Sequence, residues 1–454
     1  MDLLIANSPA VKPLDQTVSP RRDEAKLAFA FLWLFTFWVF GRPEDIFPAV
    51  ALLRPTFVFG ACAGLAYFGA VLMGRARLRW SHELILVLLL TAWFTLGIPF
   101  AFWRTGSLTV LTDVWFKTVV SFFLLTQTLT TVGRVRKLLW AIICSELLAT
   151  SASIVLQGNE ALRIGDRLAG VSQGMFGWNF LGVAFSVTLP YVAALYVSRR
   201  SLPRTSLLMA VVGSTMWMLV LTASRGGFLN VVFSIILTWW FVLRGSARGR
   251  IVGVIIAVCL VVALAKAPDV FWFRLQTIWG DAHASANQDA ESAAESTEGR
   301  KTVIRRAIIY TVRYPIFGVG IGCFPIINGT ELHDANAWYG THNTFMQIAA
   351  EAGIPALVLF LLLMLTMFRH ARNVANKFVD DPLNAELHLL ARSTLVSVAA
   401  FAFGGLFVHI AYEYFLYYLA GISAGLWTIV REETEEPLCR PGLPRSIAAI
   451  PSYR

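Results

Sequence analysis

Long apolar stretches broken by short polar ones are the dominant pattern along this chain. A helix needs about 20 apolar residues to cross a bilayer. Runs near that length begin at Leu27 and recur at about 55–73, 82–102, 110–130, 138–157, 175–197, 205–223, 227–243, 250–265, 344–368, 390–410 and 412–430. The first run ends near Phe40, where Arg42-Pro43-Glu44-Asp45-Ile46-Phe47-Pro48 interrupts it. Together they predict about twelve transmembrane helices in an all-α, polytopic membrane fold. The expected organisation is a polar cytoplasmic tail over 1–25, nine spans within 26–265, a large outer loop over 266–343, three spans within 344–430 and a Pro-rich tail over 431–454. Within the large loop, Asp281 to Gly299 is small, polar and acidic, and is expected to be mobile.

Composition agrees with that pattern: 57% of the 454 residues are hydrophobic and 15% charged, with mean hydropathy +0.63, which excludes an ordinary soluble domain. The net charge of +10 does not point to nucleic acid, because the basic residues sit in short loops instead of on one folded face. Arg75/Arg77/Arg79, Arg134/Arg136/Lys137, Arg199/Arg200/Arg204, Arg244/Arg248/Arg250 and Arg369/Arg372/Lys377 all fall on one side if the spans alternate. By the positive-inside rule that side is cytoplasmic, and both termini lie there. Met1 to Lys26 has no apolar core of the signal-peptide kind. The five cysteines show no metal or redox spacing, and only Cys323 is expected on the outer side, so no intrachain disulfide is expected.

Several polar groups stand out against this background. Thr222-Ala223-Ser224-Arg225-Gly226-Gly227 splits an apolar stretch with almost no loop, and its two glycines would let the chain turn back. Arg225 is either a ligand-binding cation or a snorkelling interface marker. Arg300, Lys301, Arg305, Arg306 and Arg313 are basic residues on the outer side, against the positive-inside trend; an anionic ligand such as a phosphate-bearing lipid, lipid head groups, or the acidic loop before them would each account for that. Arg163 and Arg167 lie in an outer loop, followed by Trp178 and Asn179, which suit a sugar or equally an interfacial anchor. Asp113 and Lys117 are at helical spacing and are expected to pair; Glu146 and Glu413 are further ionisable groups in or near spans. Pro315 to Phe368 is the richest stretch: three glycines (Gly318, Gly320, Gly322), two loop histidines (His333, His342), then a long apolar run. Thr344 followed by Gln347 predicts a capping box, placing His342 just before the positive end of a helix dipole. A lone loop histidine is more often simply solvated. His333, Asp334 and His342 match no zinc spacing, so no metal is expected.

The segment THNTFMQIAAEAGIPALVLFLLL, preceded by YPIFGVGIGCF, resembles the O-antigen ligase and polymerase family of bacterial membrane glycosyltransferases. SRGG at Ser224 to Gly227 and DRLAG at Asp166 to Gly170 fall where that family has similar stretches, and RPEDIFP looks like a feature of its O-glycosylation ligases. The resemblance covers roughly Arg163 to Phe368, and the rest by topology only. It implies a GT-C-like fold with a helical periplasmic loop between spans nine and ten. It also implies an inner-membrane enzyme using neither metal nor nucleotide sugar nor other cofactor. The donor would be a glycan on undecaprenyl diphosphate, and the acceptor lipid A–core, a protein or another glycan.

On that resemblance His342 would be the base for the acceptor hydroxyl, and Arg225 and Arg300 would hold the diphosphate. The family places Trp four residues after the second arginine. Here Ile304 stands there, with Arg305 and Arg306 following, so those two remain alternatives to Arg300. Arg167 and Asn179 are further substrate-binding candidates. Ligase and polymerase share these motifs, and RPEDIFP tilts towards ligase. A flippase or transporter for the same lipid-linked glycan is the alternative of another class, but no half-to-half repeat supports it.

Overall fold

The computed structural model describes residues 25–158, 163–164, 167–168, 178–198, 202–276, 288–333 and 339–435. The N-terminal tail, the first part of the acidic loop, Asp334 and the last residues of the chain lie outside the described residues. The protein is all-α and polytopic, with ten helices among the described residues long and apolar enough to cross a membrane, from Pro55–Leu72 to Pro382–Gly404. Two more flank them: the shorter apolar helix Lys26–Gly41 and the closing helix Tyr414–Glu435. The one extended feature described is a two-residue hairpin, Arg163–Ile164 paired antiparallel with Arg167–Leu168.

Burial sorts the helices into layers. Phe180–Ser198 is the centre, with 89% of its apolar window buried, and it packs on Ala385–Gly404 and Arg225–Thr238. Pro55–Leu72 and Ala247–Ala265 bury only 17% and 22% and present leucines and valines outward, as lipid-facing helices do. Polar side chains join the central helices where the backbone needs them. Pro190 has no N–H for the carbonyl of Ser186, and Ser234 Oγ donates to that carbonyl at 2.6 Å instead. Ser397 and Ser393 donate to two further carbonyls of the same helix, those of Val187 and Pro190, at 2.7 and 2.8 Å.

The two ends of the bundle differ. At one, Arg79, Gln127, Tyr67 and Glu432 lock the loop after Pro55–Leu72 to neighbouring helix ends. At the other, the glycine-rich turn, the segment before Thr344 and the loop 404–413 meet.

Three local expectations are corrected. At 222–227 the turn is made by Ala223, in the left-handed region at φ 47°, with Ser224 Oγ capping Gly227 N–H at 3.2 Å. The glycines lie inside the next helix, where Gly227 faces Gly182 so closely that a Cβ on Gly182 would sit 2.3 Å from its Cα. Among the described residues no ion pair joins Asp113 to Lys117, and Thr112 Oγ1 is 3.5 Å from Asp113 Oδ1; residues Val110–Trp115 are wound as a π-helix, which changes the register on which their spacing relied. The acidic stretch is helical from Gln288, because the Ala- and Glu-rich sequence continues into a single helix, Gln288–Arg313. Cys323 is buried, its thiol 3.2 Å from Ser107 Oγ.

Candidate active site

The site is built on a deliberate break in the helix Thr344–Lys377. Pro355 has no N–H for the carbonyl of Glu351, and Gly353 adopts φ 82°, ψ 176°, a conformation essentially confined to glycine. The exposed carbonyls of Ala350, Glu351 and Ala352 are met by Val319 N–H (2.9 Å), Gly320 N–H (2.9 Å) and Trp93 Nε1 (3.0 Å), while Ile354 N–H donates to Pro315 at 2.8 Å. The glycine-rich turn thus clips into the break. It needs its glycines there: a Cβ on Gly318 would lie 2.3 Å from the Glu351 carbonyl carbon. The Glu351 side chain is buried and completes the join. It accepts from Gly322 N–H (3.0 Å), Phe324 N–H (3.2 Å) and the Tyr412 hydroxyl (2.8 Å).

The expected capping box does not form. Asn343 is the N-cap, its Oδ1 accepting from Phe345 and Met346 N–H at 2.9 and 3.0 Å. That frees Thr344 and Gln347 for another task. Thr344 Oγ1 donates to Val408 O (2.8 Å), Thr344 N–H donates to Gly405 O (2.7 Å), and Gln347 Oε1 accepts from Ala411 N–H (3.1 Å). The loop 404–413 is thereby fixed against the helix start, and it carries His409.

His342 precedes the cap in the left-handed region, φ 48°, and presents its ring edge-to-face to His409 with centroids 5.3 Å apart. His409 in turn packs edge-to-face with Phe180 and against Gly340, where a Cβ would lie 2.6 Å from the imidazole. Burial, then the charges of His409 and Arg300, lowers the His342 pKa from 6.5 to about 4. His409 is also pushed down by burial. Both rings are therefore neutral near pH 7.

Arg300 reaches this group from the helix Gln288–Arg313. Burial, then the neighbouring Arg274, pushes its guanidinium below the usual range. Arg225, the first residue of its helix, feels the charges of both Arg300 and Arg274. The structure therefore brings together His342, Arg225 and Arg300, and adds Arg274 and His409. Arg305 points to solvent. Arg306 is held by Glu331 (2.7 Å) and the Tyr310 hydroxyl (2.6 Å), away from that cluster. Arg167 falls in the second strand of the hairpin and Asn179 in the first turn of Trp178–Ser198; their side chains lie outside the described residues. His333 ends the helix Phe324–Leu332, its Nδ1 2.7 Å from Thr330 O. Among the described residues no group of three or more His, Cys, Asp or Glu has the arrangement to hold a metal ion.

Sequence reasoning missed Arg274 and His409. Arg274 carried a usable signal, being one more cation in the segment where basic residues were unexpected. His409 is a lone polar residue in an apolar run and carried none.

Fold and site define a multi-pass helical membrane protein with a cationic, imidazole-bearing site at one end of its bundle. Residues 208–361, about a third of the chain, match the family model described as O-Antigen ligase (Wzy_C), and in this stretch the chain is similar to that family. The matched stretch contains Arg225, Arg274, Arg300, His342 and Glu351, whereas His409 lies beyond it. No curated protein gives a match.

Proposed function

We propose that the protein moves a glycan from undecaprenyl diphosphate to an acceptor hydroxyl, with inversion and without a metal, at the periplasmic face of the bacterial inner membrane. One observation carries the reading: a neutral imidazole, His342, stands within electrostatic reach of Arg300, which with Arg225 and Arg274 forms a guanidinium cluster. Guanidiniums at mutual repulsive distance are stabilised by a multiply charged anion, and diphosphate is matched to them in charge and fork geometry.

In the proposed step the acceptor oxygen attacks the anomeric carbon as its proton passes to the His342 ring. The bond from that carbon to the diphosphate oxygen breaks, and the electron pair leaves with the diphosphate. Charge building on that oxygen is met by the fixed guanidiniums more strongly in the transition state than in the ground state. A base with so low a pKa is weak in the empty site. The bound diphosphate supplies the negative charge that offsets the arginines and strengthens it.

The five basic loops, gathered on the side away from the site by the alternation of spans, support a periplasmic site and cytoplasmic termini. The acceptor is lipid A–core, a protein or another glycan, and a polymerase of the same family would use the same residues. The test is reconstitution: purified protein, a polyprenyl diphosphate glycan and candidate acceptors. Glycan transfer with release of the carrier diphosphate supports the reading, the acceptor consumed separates ligase from polymerase, and movement of donor across the bilayer without transfer would refute it.

A further inference from the structure

Beside His409 lies a cavity of about 250 Å³ that the proposed chemistry leaves unassigned. It is walled by the π-helical turn through Val110 and Val114, by Phe180 and Pro325, and by the polar groups of Thr341, Gln347, Glu351, Tyr412 and Glu413. We propose that this cavity is the acceptor subsite and that it takes a single neutral, hydroxyl-bearing sugar ring. The inference rests on the transferase reading of the same site.

Three observations carry it. The first is position. Gly340, Thr341 and His409 line the cavity and are the immediate neighbours of His342 in sequence or in space, so a ring seated there has a hydroxyl within reach of the base. The second is chemistry. The guanidinium cluster is cationic, whereas the cavity lining contains no Lys or Arg; its polar groups are carboxyls, an amide, a phenol, a hydroxyl and an imidazole. Such groups accept hydrogen bonds from sugar hydroxyls, and the apolar walls suit the C–H faces of the ring. An anionic sugar would meet two acidic side chains instead.

The third is unused bonding capacity. His409 Nδ1 is buried with no hydrogen-bond partner among the described residues, and the Glu413 side chain lies in the same lining. A buried polar atom left so is costly unless a ligand or water completes it. Pockets for drug-sized ligands run from roughly 300 Å³ upward, so this one has room for about one ring. The RPEDIFP element also finds a place here. Its Arg42, bound to Asp45 at 2.6 and 3.1 Å, is the cation whose charge reaches Glu413.

The test is titration of the full-length protein, in nanodiscs free of sugar detergents, followed by saturation-transfer NMR. The probes are methyl β-D-glucopyranoside, the matching methyl glucuronide, and inorganic pyrophosphate. The neutral glycoside is expected to bind saturably and the glucuronide about tenfold more weakly, with Glu413→Gln narrowing that gap. Val114→Phe, which fills the cavity, is expected to weaken glycoside binding at least about tenfold and leave pyrophosphate binding unchanged. Arg300→Ala should do the reverse. Val110→Phe serves as a second filling variant, and retained pyrophosphate binding shows that each variant is folded. Absence of saturable glycoside binding, or binding that both filling variants leave intact, would overturn the subsite. Failure of the wild type to bind pyrophosphate strikes instead at the donor site, and the glycoside arm still decides the cavity.

Discussion

Replacing Glu351 separates three segments at once. Its carboxyl accepts from Gly322 N–H, Phe324 N–H and the Tyr412 hydroxyl, and so ties the glycine-rich turn and the loop carrying His409 to the broken helix. In Glu351→Ala all three donors lose their acceptor. At about 1–2 kcal/mol for each of the three stranded buried donors, the expected loss is about 3–6 kcal/mol. Glu351→Gln is the informative comparison. Oε2 serves two of the donors, Gly322 and Tyr412, and Oε1 serves Phe324. An amide with its oxygen on the Oε2 side keeps two bonds but turns an NH2 towards the Phe324 N–H, costing about 1–3 kcal/mol. Thermal unfolding of the purified variants, followed by tryptophan fluorescence, should rank wild type above Gln above Ala, and transfer activity should fall in the same order as His409 loosens. An Ala variant within about 0.5 kcal/mol of wild type, the range of an ordinary surface substitution, would refute the joining role of this carboxyl.

Gly353→Ala should cost about 3 kcal/mol or more, since the backbone sits at φ 82° and a Cβ would lie 2.0 Å from Ile316 O, whereas Gly64→Ala, whose Cβ meets nothing, is the neutral control in the same unfolding assay. A pH–rate profile should place the acid limb of kcat/KM near the His342 value of about 4, with activity lost below it as the ring takes a proton, and the kcat limb higher because bound diphosphate favours the charged ring; a kcat/KM limb at 6.5 or above would contradict this. By linkage the unfolded chain accepts that proton at about 6.5, so this group's contribution to stability is present above 6.5 and lost as pH falls towards 4. Arg306→Ala should lower stability through Glu331 and Tyr310 yet keep donor affinity, while Arg300→Ala should weaken donor binding about tenfold or more; equal loss of donor affinity in both would undo that distinction.

The spans were legible because length and hydropathy alone define them, and their ends were not. The long helix was expected to close at 368 but runs to Lys377, since the polar turn Arg369 to Lys377 is helix-forming yet not apolar. Ala385–Gly404 likewise begins five residues before its expected start, in the polar Ala385-Glu386-Leu387-His388. The reach of the site residues was harder to read. Arg225, Arg300 and His342 stand out singly as polar residues, and only the family resemblance joins them in one site, because no local period links positions that far apart. Helical geometry separates the three arginines of one segment: at about 100° per residue, Arg305 and Arg306 point roughly 140° and 120° away from Arg300, on opposite sides. The glycines were read as turns, and at 318, 320 and 322 that is their role, with φ of 66°, 101° and 73°. At 226 and 227 they serve packing instead, a difference set by partners remote in sequence.

The central claim is that an imidazole and a set of guanidiniums act on one lipid diphosphate, the first on the acceptor's proton and the others on the leaving group. Single-turnover transfer by His342→Gln, with donor affinity measured on the same preparation, tests it most directly. Donor bound at close to wild-type affinity with no glycan transferred is the expected result. Transfer at the wild-type rate by that variant would contradict it.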